Sequence, residues 1–146
     1  MSTKKKILFL CTGNSARSIL GEAIFNSLFA AYGHAFSAGS RPIGQVNPLA
    51  LETLKNHGHD TNGLHSKNIG IFSTEDAPVI DLVISVCDNA AQDCPTWPGK
   101  GHPQRLHWPL PDPASVEGEA EKSAAFEKTY NDLKEKITAL MSAPCI

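Results

Sequence analysis

The stretch from Lys6 to Ala31 constrains the fold more than any other part of the chain. A continuous apolar segment, Lys6-Ile7-Leu8-Phe9-Leu10-Cys11, runs into a Gly-Asn turn signal. A helical pattern follows, in which Leu20, Ala23, Ile24, Ser27, Leu28 and Ala31 share one face. Apolar residues without alternation read as a strand buried on both sides, as in a parallel sheet. A buried strand that leads into an amphipathic helix is the opening of a strand-helix-strand unit. Gly33 stands where the C-cap of that helix belongs.

Further elements extend this pattern. Ala35-Phe36-Ser37-Ala38 predicts a short second strand ending at Gly39. Asn47 and Pro48 open a helix over Leu49 to Asn56, closed by Gly58. Val79 to Cys87 predicts another strongly buried strand. From Cys87 to Arg105 the chain reads as a Pro- and Gly-rich loop, and Leu106-His107-Trp108 as a short edge strand. Phe126, Tyr130, Leu133, Ile137 and Leu140 mark a long amphipathic helix. Acidic Glu117, Glu119 and Glu121 lie at its start, where the helix dipole favours them. The expectation is a single α/β domain over residues 1–146, a four-stranded parallel sheet with helices on both faces. Ligands of such sheets bind at the carboxyl ends of the strands, the predicted position of both Cys11 and Cys87.

Composition narrows the function. A net charge of -2 and a pI near 6.3 argue against a nucleic-acid binder working by bulk electrostatics. The apolar run Ile7 to Leu10 is too short for a membrane span. Lys4, Lys5 and Lys6 precede it as in a signal peptide, but Thr12-Gly13-Asn14 ends it before a hydrophobic region forms. The expectation is a cytoplasmic monomer. In a reducing compartment its four cysteines are core thiols, metal ligands or catalytic groups.

Cys11-Thr12-Gly13-Asn14-Ser15-Ala16-Arg17-Ser18 lies between the first strand and its helix. Successive N–H groups in such a turn form an anion nest, and the helix N-terminus adds positive potential. Gly13 permits unusual backbone angles. Arg17 supplies a planar fork that suits a tetrahedral oxyanion. A cysteine facing fixed positive charge is shifted toward the thiolate, which makes Cys11 a candidate nucleophile. The competing reading is a buried strand-end thiol beside a solvated arginine.

Cys11-x5-Arg17-Ser18 at the first strand end, with Asp112-Pro113 downstream, resembles the low-molecular-weight protein tyrosine phosphatase fold. The fuller string CTGNSARS, with Cys87 and Cys94 in a later loop, is similar to the arsenate reductases built on that fold. The resemblance spans nearly the whole chain. It implies arsenate as substrate, phosphate or sulfate as analogues, and residues 12–18 as the substrate cradle. It also implies that Asp112 is the general acid, although an Asp-Pro pair by itself more often marks a turn or helix start. No tightly bound cofactor is implied. The reductant is an external dithiol, thioredoxin, or alternatively glutaredoxin with glutathione, or mycothiol.

The resemblance further implies a thiol relay from Cys11 to Cys87 to Cys94. Neighbouring parallel strands lie about 4.8 Å apart. Cys11 and Cys87 can therefore meet with little movement if their strands are adjacent and in register. Cys94 follows Cys87 by seven residues, about 10.5 Å along a helix axis, so any helix between them must unwind before they bond. A mobile segment over Asp88 to Asp93 is the consequence. Cys145, after Pro144, reads as a bystander near the chain end.

Several relatives hold potassium near the loop through Asn, Glu, Ser and Asp. Asn14, Glu22 and Ser37 match that set, while Lys67 stands at the Asp position. Its ammonium either takes the cation's place and holds Asn14 and Glu22, or is solvated at the surface. Many relatives also carry a cysteine where this chain has Ala16, but that residue lies outside the relay. Cys87, Cys94, His102 and His107 offer a zinc set, yet the spacing C-x6-C-x7-H-x4-H matches no tight knuckle, and no metal is expected. Two rivals stand beside the reductase. A tyrosine phosphatase would need an aromatic platform beside Asp112, for which Trp97 and Trp108 are the nearby candidates. A non-catalytic redox or zinc module would leave Cys11 unreactive.

Overall fold

A computed structural model describes residues 5–11, 13–86, 103–108 and 110–142. The readings at Thr12, Cys87, Cys94, Trp97, His102 and Cys145, and the segment Asp88 to Asp93, fall outside these residues. In chain order the regular elements are β1 (Lys5–Cys11), α1 (Arg17–Leu28), β2 (Gly33–Gly39), α2 (Pro48–Asn56), β3 (Leu82–Ser85), β4 (Gln104–His107) and α3 (Glu119–Ser142). Short 3-10 helices lie at Ile69–Ser73 and Pro113–Ser115.

The strands form one parallel sheet in the order β2-β1-β3-β4. β1 is interior, and Ile7 to Cys11 are all buried, which accounts for its unbroken apolar run. Ile7, Phe9 and Cys11 face one way and pack with Leu82, Ile84 and Val86 against α1, α2 and α3. Leu8, Leu10 and Val83 face the other way and pack with Ile69, Phe72 and Ile80, so the first 3-10 helix covers the second face. This is the expected α/β sheet with helices on both sides.

α1 approaches β1 so closely that a side chain at Gly21 would overlap the Phe9 ring. The helix stops earlier than its apolar pattern. It ends at Leu28, which is nearly half exposed, and the Phe29 N–H caps it on the Phe25 carbonyl. Gly33 does not cap α1; it opens β2 opposite Lys5, where a Cβ would overlap the Lys5 carbonyl oxygen. β3 is shorter than Val79 to Cys87, and Val79 is exposed. The backbone bonds Asp81 N–H to Lys6 O and Val86 N–H to Leu10 O bracket its pairing with β1. α2 begins as expected, with the Asn47 side chain accepting from the Leu49 N–H. In α3, Phe126, Tyr130, Leu133 and Ile137 are buried in the expected stripe.

Candidate active site

Cys11 ends β1 and is buried, and α1 begins at Arg17, so the intervening loop joins a strand end to a helix N-terminus. The loop is held from outside by its carbonyls. Cys11 O accepts from Ser40 N–H (3.3 Å), Gly13 O from Ile43 N–H (3.0 Å) and Ser66 Oγ (3.3 Å), and Ser15 O from Asn47 N–H (2.8 Å). The Asn14 N–H points at Cys11 Sγ, 3.3 Å away.

Asn14 organises the interior. It is fully buried at φ 47, a left-handed conformation that Asn tolerates better than most residues. Its Oδ1 accepts from the Lys67 N–H at 2.7 Å, which fixes the orientation of the amide. Its Nδ2 therefore donates to Ser18 Oγ at 2.8 Å. Cys11 Sγ lies 2.8 Å from the same Ser18 hydroxyl, which is the donor of that pair when the sulfur is an anion. One sulfur thus meets two donors at the head of a helix, the pattern that stabilises a sulfur anion.

Arg17 is buried, and its Nη1 donates to the Leu110 carbonyl at 2.8 Å. The structure thereby joins the anion loop to the segment carrying Asp112. The Asp112 carboxylate accepts from the Ala114 N–H at 3.0 Å and caps the 3-10 helix Pro113–Ser115. The helix-start role of Asp112 is thus directly visible.

Glu22, Ser37 and Lys67 meet behind the loop. Ser37 Oγ donates to Glu22 Oε1 at 2.5 Å. Lys67 Nζ lies 3.7 Å from Glu22, donates to Ser37 Oγ at 3.3 Å and to the His65 carbonyl at 2.9 Å. Burial lowers the Lys67 pKa, and the Glu22 carboxylate opposes that shift. One expectation needs correction: the ammonium does not hold Asn14. The Lys67 backbone N–H does so, because the chain passes the loop edge-on and the side chain turns toward Glu22.

Two features escaped the sequence. The strap from Ser40 to Asn47 carries three of the donors that fix the loop, all of them backbone groups with no side-chain signature. Ser85 and His107, at the carboxyl ends of β3 and β4, share a hydrogen bond of 3.1 Å between Oγ and Nδ1. Of the zinc set only His107 is described. Among the described residues no group of three or more His, Cys, Asp or Glu could hold a metal ion. No helix among them is long and apolar enough to cross a membrane.

Comparison with known proteins agrees with this geometry. The family described as low molecular weight phosphotyrosine protein phosphatase matches residues 6–144. The arsenate reductase of Bacillus licheniformis is 36% identical over 136 residues, covering 92% of this chain and 94% of that protein. A solved arsenate reductase in the phosphate binding state superposes with a TM-score of 0.75 at 27% identity, covering 94% of this chain and 97% of that one. The thioredoxin-dependent arsenate reductase of Corynebacterium glutamicum gives a TM-score of 0.67 at 25% identity, covering 96% of this chain and 63% of that one.

Proposed function

The chain belongs to the low molecular weight phosphotyrosine protein phosphatase family, and from that premise we propose that it reduces arsenate to arsenite. The observation that carries this reading is the Cys11 sulfur held between the Asn14 N–H and the Ser18 hydroxyl, on a loop that ends at the buried Arg17. Relatives named arsenate reductase over nearly the full length of the chain support arsenate as the oxyanion.

The proposed sequence balances as follows. Arsenate sits in the loop of residues 12–18, clamped by N–H groups and the Arg17 guanidinium. The Cys11 thiolate attacks arsenic, and Asp112 protonates the departing oxygen, giving a Cys11–As(V) adduct. The Cys87 thiolate attacks Cys11 Sγ. The As–S bond breaks with its electron pair left on arsenic, so arsenite departs and a Cys11–Cys87 disulfide forms. Cys94 then attacks Cys87 Sγ and releases the Cys11 thiolate. The Cys87–Cys94 disulfide is reduced by an external dithiol. The thioredoxin-dependent relative favours thioredoxin as that dithiol, with glutaredoxin as the other arm of the test.

The end of β3 supports the relay. Leu10 pairs with Ser85, and Val86 donates to the Leu10 carbonyl, so β3 and β1 end side by side. The reading includes Lys67 as a built-in cation behind the loop, weak aryl-phosphatase activity, and a cytoplasmic monomer. A dedicated tyrosine phosphatase is disfavoured by Trp108, which packs on Phe9 with ring centroids 6.4 Å apart and so serves the core. The test is arsenate-dependent NADPH consumption, run in parallel with a thioredoxin and a glutaredoxin system. The proposal expects turnover with thioredoxin; arsenate-independent or absent consumption in both would refute it.

A further inference from the structure

Gly58, at φ 82, reverses the chain after α2 and brings His57 and His59 to the same tyrosine of α3. The His57 ring stacks on Tyr130, with centroids 3.9 Å apart and planes 14° from parallel. His57 Nε2 meets the Glu127 carboxylate at 2.7 Å. His59 approaches the Tyr130 ring edge, and its Nε2 bonds the Tyr130 hydroxyl. Both His59 and Tyr130 are buried, yet His59 Nδ1 has no hydrogen-bond partner. The other end of α2 touches the active-site loop, because the Asn47 N–H donates to Ser15 O. A nine-residue helix, about 13.5 Å long, therefore connects the histidine cluster to the anion loop.

We infer that His57, His59, Tyr130 and Glu127 form an acid-sensitive clasp that holds α2 on α3 and, through Asn47, positions the anion loop. His59 is the positioning residue. The neutral ring fits as the tautomer with its hydrogen on Nε2, directed at the Tyr130 hydroxyl, because Nδ1 is then only a lone unpaired acceptor and no buried donor is stranded. Protonation places an N–H on both nitrogens, and the Nδ1 donor then faces a buried site without an acceptor. The charge would also face Lys134 of α3 and His57 of α2, while Glu127 is engaged by His57. Tyr130 offers only its hydroxyl, and the adjacent Asp60 carboxylate accepts from the Asn62 N–H. The proton is therefore taken up by an opened form in which the imidazole reaches water.

Burial, followed by His57 and Lys134, holds the His59 pKa below the usual 6.5. A base whose folded pKa is depressed stabilises fully above its unfolded pKa and loses that contribution as pH falls toward the folded value. Clasp opening should rise up to about tenfold per pH unit below ~6.5.

The test uses the full reduced chain. Amide exchange of α2, corrected for intrinsic rates, is measured from pH 7.5 to 5.5 alongside affinity for sulfate, whose charge is constant in that range. In the unmodified chain, α2 opening should climb up to about fivefold between pH 6.5 and 5.5 and sulfate affinity should fall with it. His59→Leu should flatten the excess in both. If that variant does not fold, Tyr130→Phe keeps the ring stack and should move opening to higher pH. An identical pH dependence of α2 exchange in the unmodified and variant chains would overturn the inference. So would α2 opening without a change in sulfate affinity.

Discussion

Replacing Ser18 with Ala probes the centre of the site. The hydroxyl receives Asn14 Nδ2 and lies 2.8 Å from Cys11 Sγ, where it is the donor to a sulfur anion. A hydrogen bond to a charged group contributes about 1.5–3 kcal/mol. Its loss should make the Cys11 sulfur anion roughly 10- to 150-fold scarcer where the thiol form competes, since 1.36 kcal/mol is a factor of ten, but each remaining anion more nucleophilic, so labelling should slow by about 4- to 15-fold. The substitution also strands Asn14 Nδ2, a buried donor, at about 1–3 kcal/mol of stability. The two consequences are separable. Carboxamidomethylation of Cys11 by iodoacetamide at pH 6, followed peptide by peptide, reads the first, and urea unfolding reads the second. Ser18→Thr keeps the hydroxyl and should recover much of the reactivity if the added methyl is accommodated. A Ser18→Ala protein that labels Cys11 within twofold of the unmodified rate would refute the hydrogen-bond argument.

Other substitutions separate the remaining roles. Asp112→Asn preserves the cap on the Ala114 N–H, so stability should hardly change, while turnover falls about 100- to 10,000-fold if the carboxyl supplies a proton. Equal loss of stability and turnover would point to the cap alone. Lys67→Ala removes the cation beside Glu22 and should cost about 2 kcal/mol. Potassium should restore stability and turnover to this variant and leave the unmodified protein unchanged; strong potassium activation of the latter would count against Lys67. Cys94→Ser should release one equivalent of arsenite and stop with Cys11 bonded to Cys87. Continued turnover of that variant with thioredoxin would remove Cys94 from the relay.

The sheet and the anion loop were legible because each rests on a strong local signal. Ile7 to Leu10 is apolar on both faces, and β1 is interior. The loop residues carry their chemistry in their identities. Element ends were less legible because tertiary contacts set them. Gly33 looked like a helix cap, but the space beside the Lys5 carbonyl made it a strand residue. The identity of Lys67 points to its ammonium as the partner of Asn14, whereas its backbone N–H holds that amide, and backbone donors have no sequence signature. The clasp was hidden for a related reason: His57 and His59 meet Glu127 and Tyr130 only across about 70 residues of chain.

Register adds a condition that residue spacing alone could not supply. Leu10 pairs with Ser85, so one step further sets Val86 beside Cys11, and both belong to the helix-facing core. Strand alternation would send position 87 to the opposite face. A Cys11–Cys87 bond therefore requires the backbone to leave strand geometry directly after Val86.

Arsenite release from the fully reduced protein, mixed with arsenate and no external reductant, tests the central claim most directly. The account predicts one arsenite per chain, one disulfide formed, and none of either from Cys11→Ser. Arsenite produced at the same yield by Cys11→Ser, or a reduced unmodified chain that yields none, would contradict it.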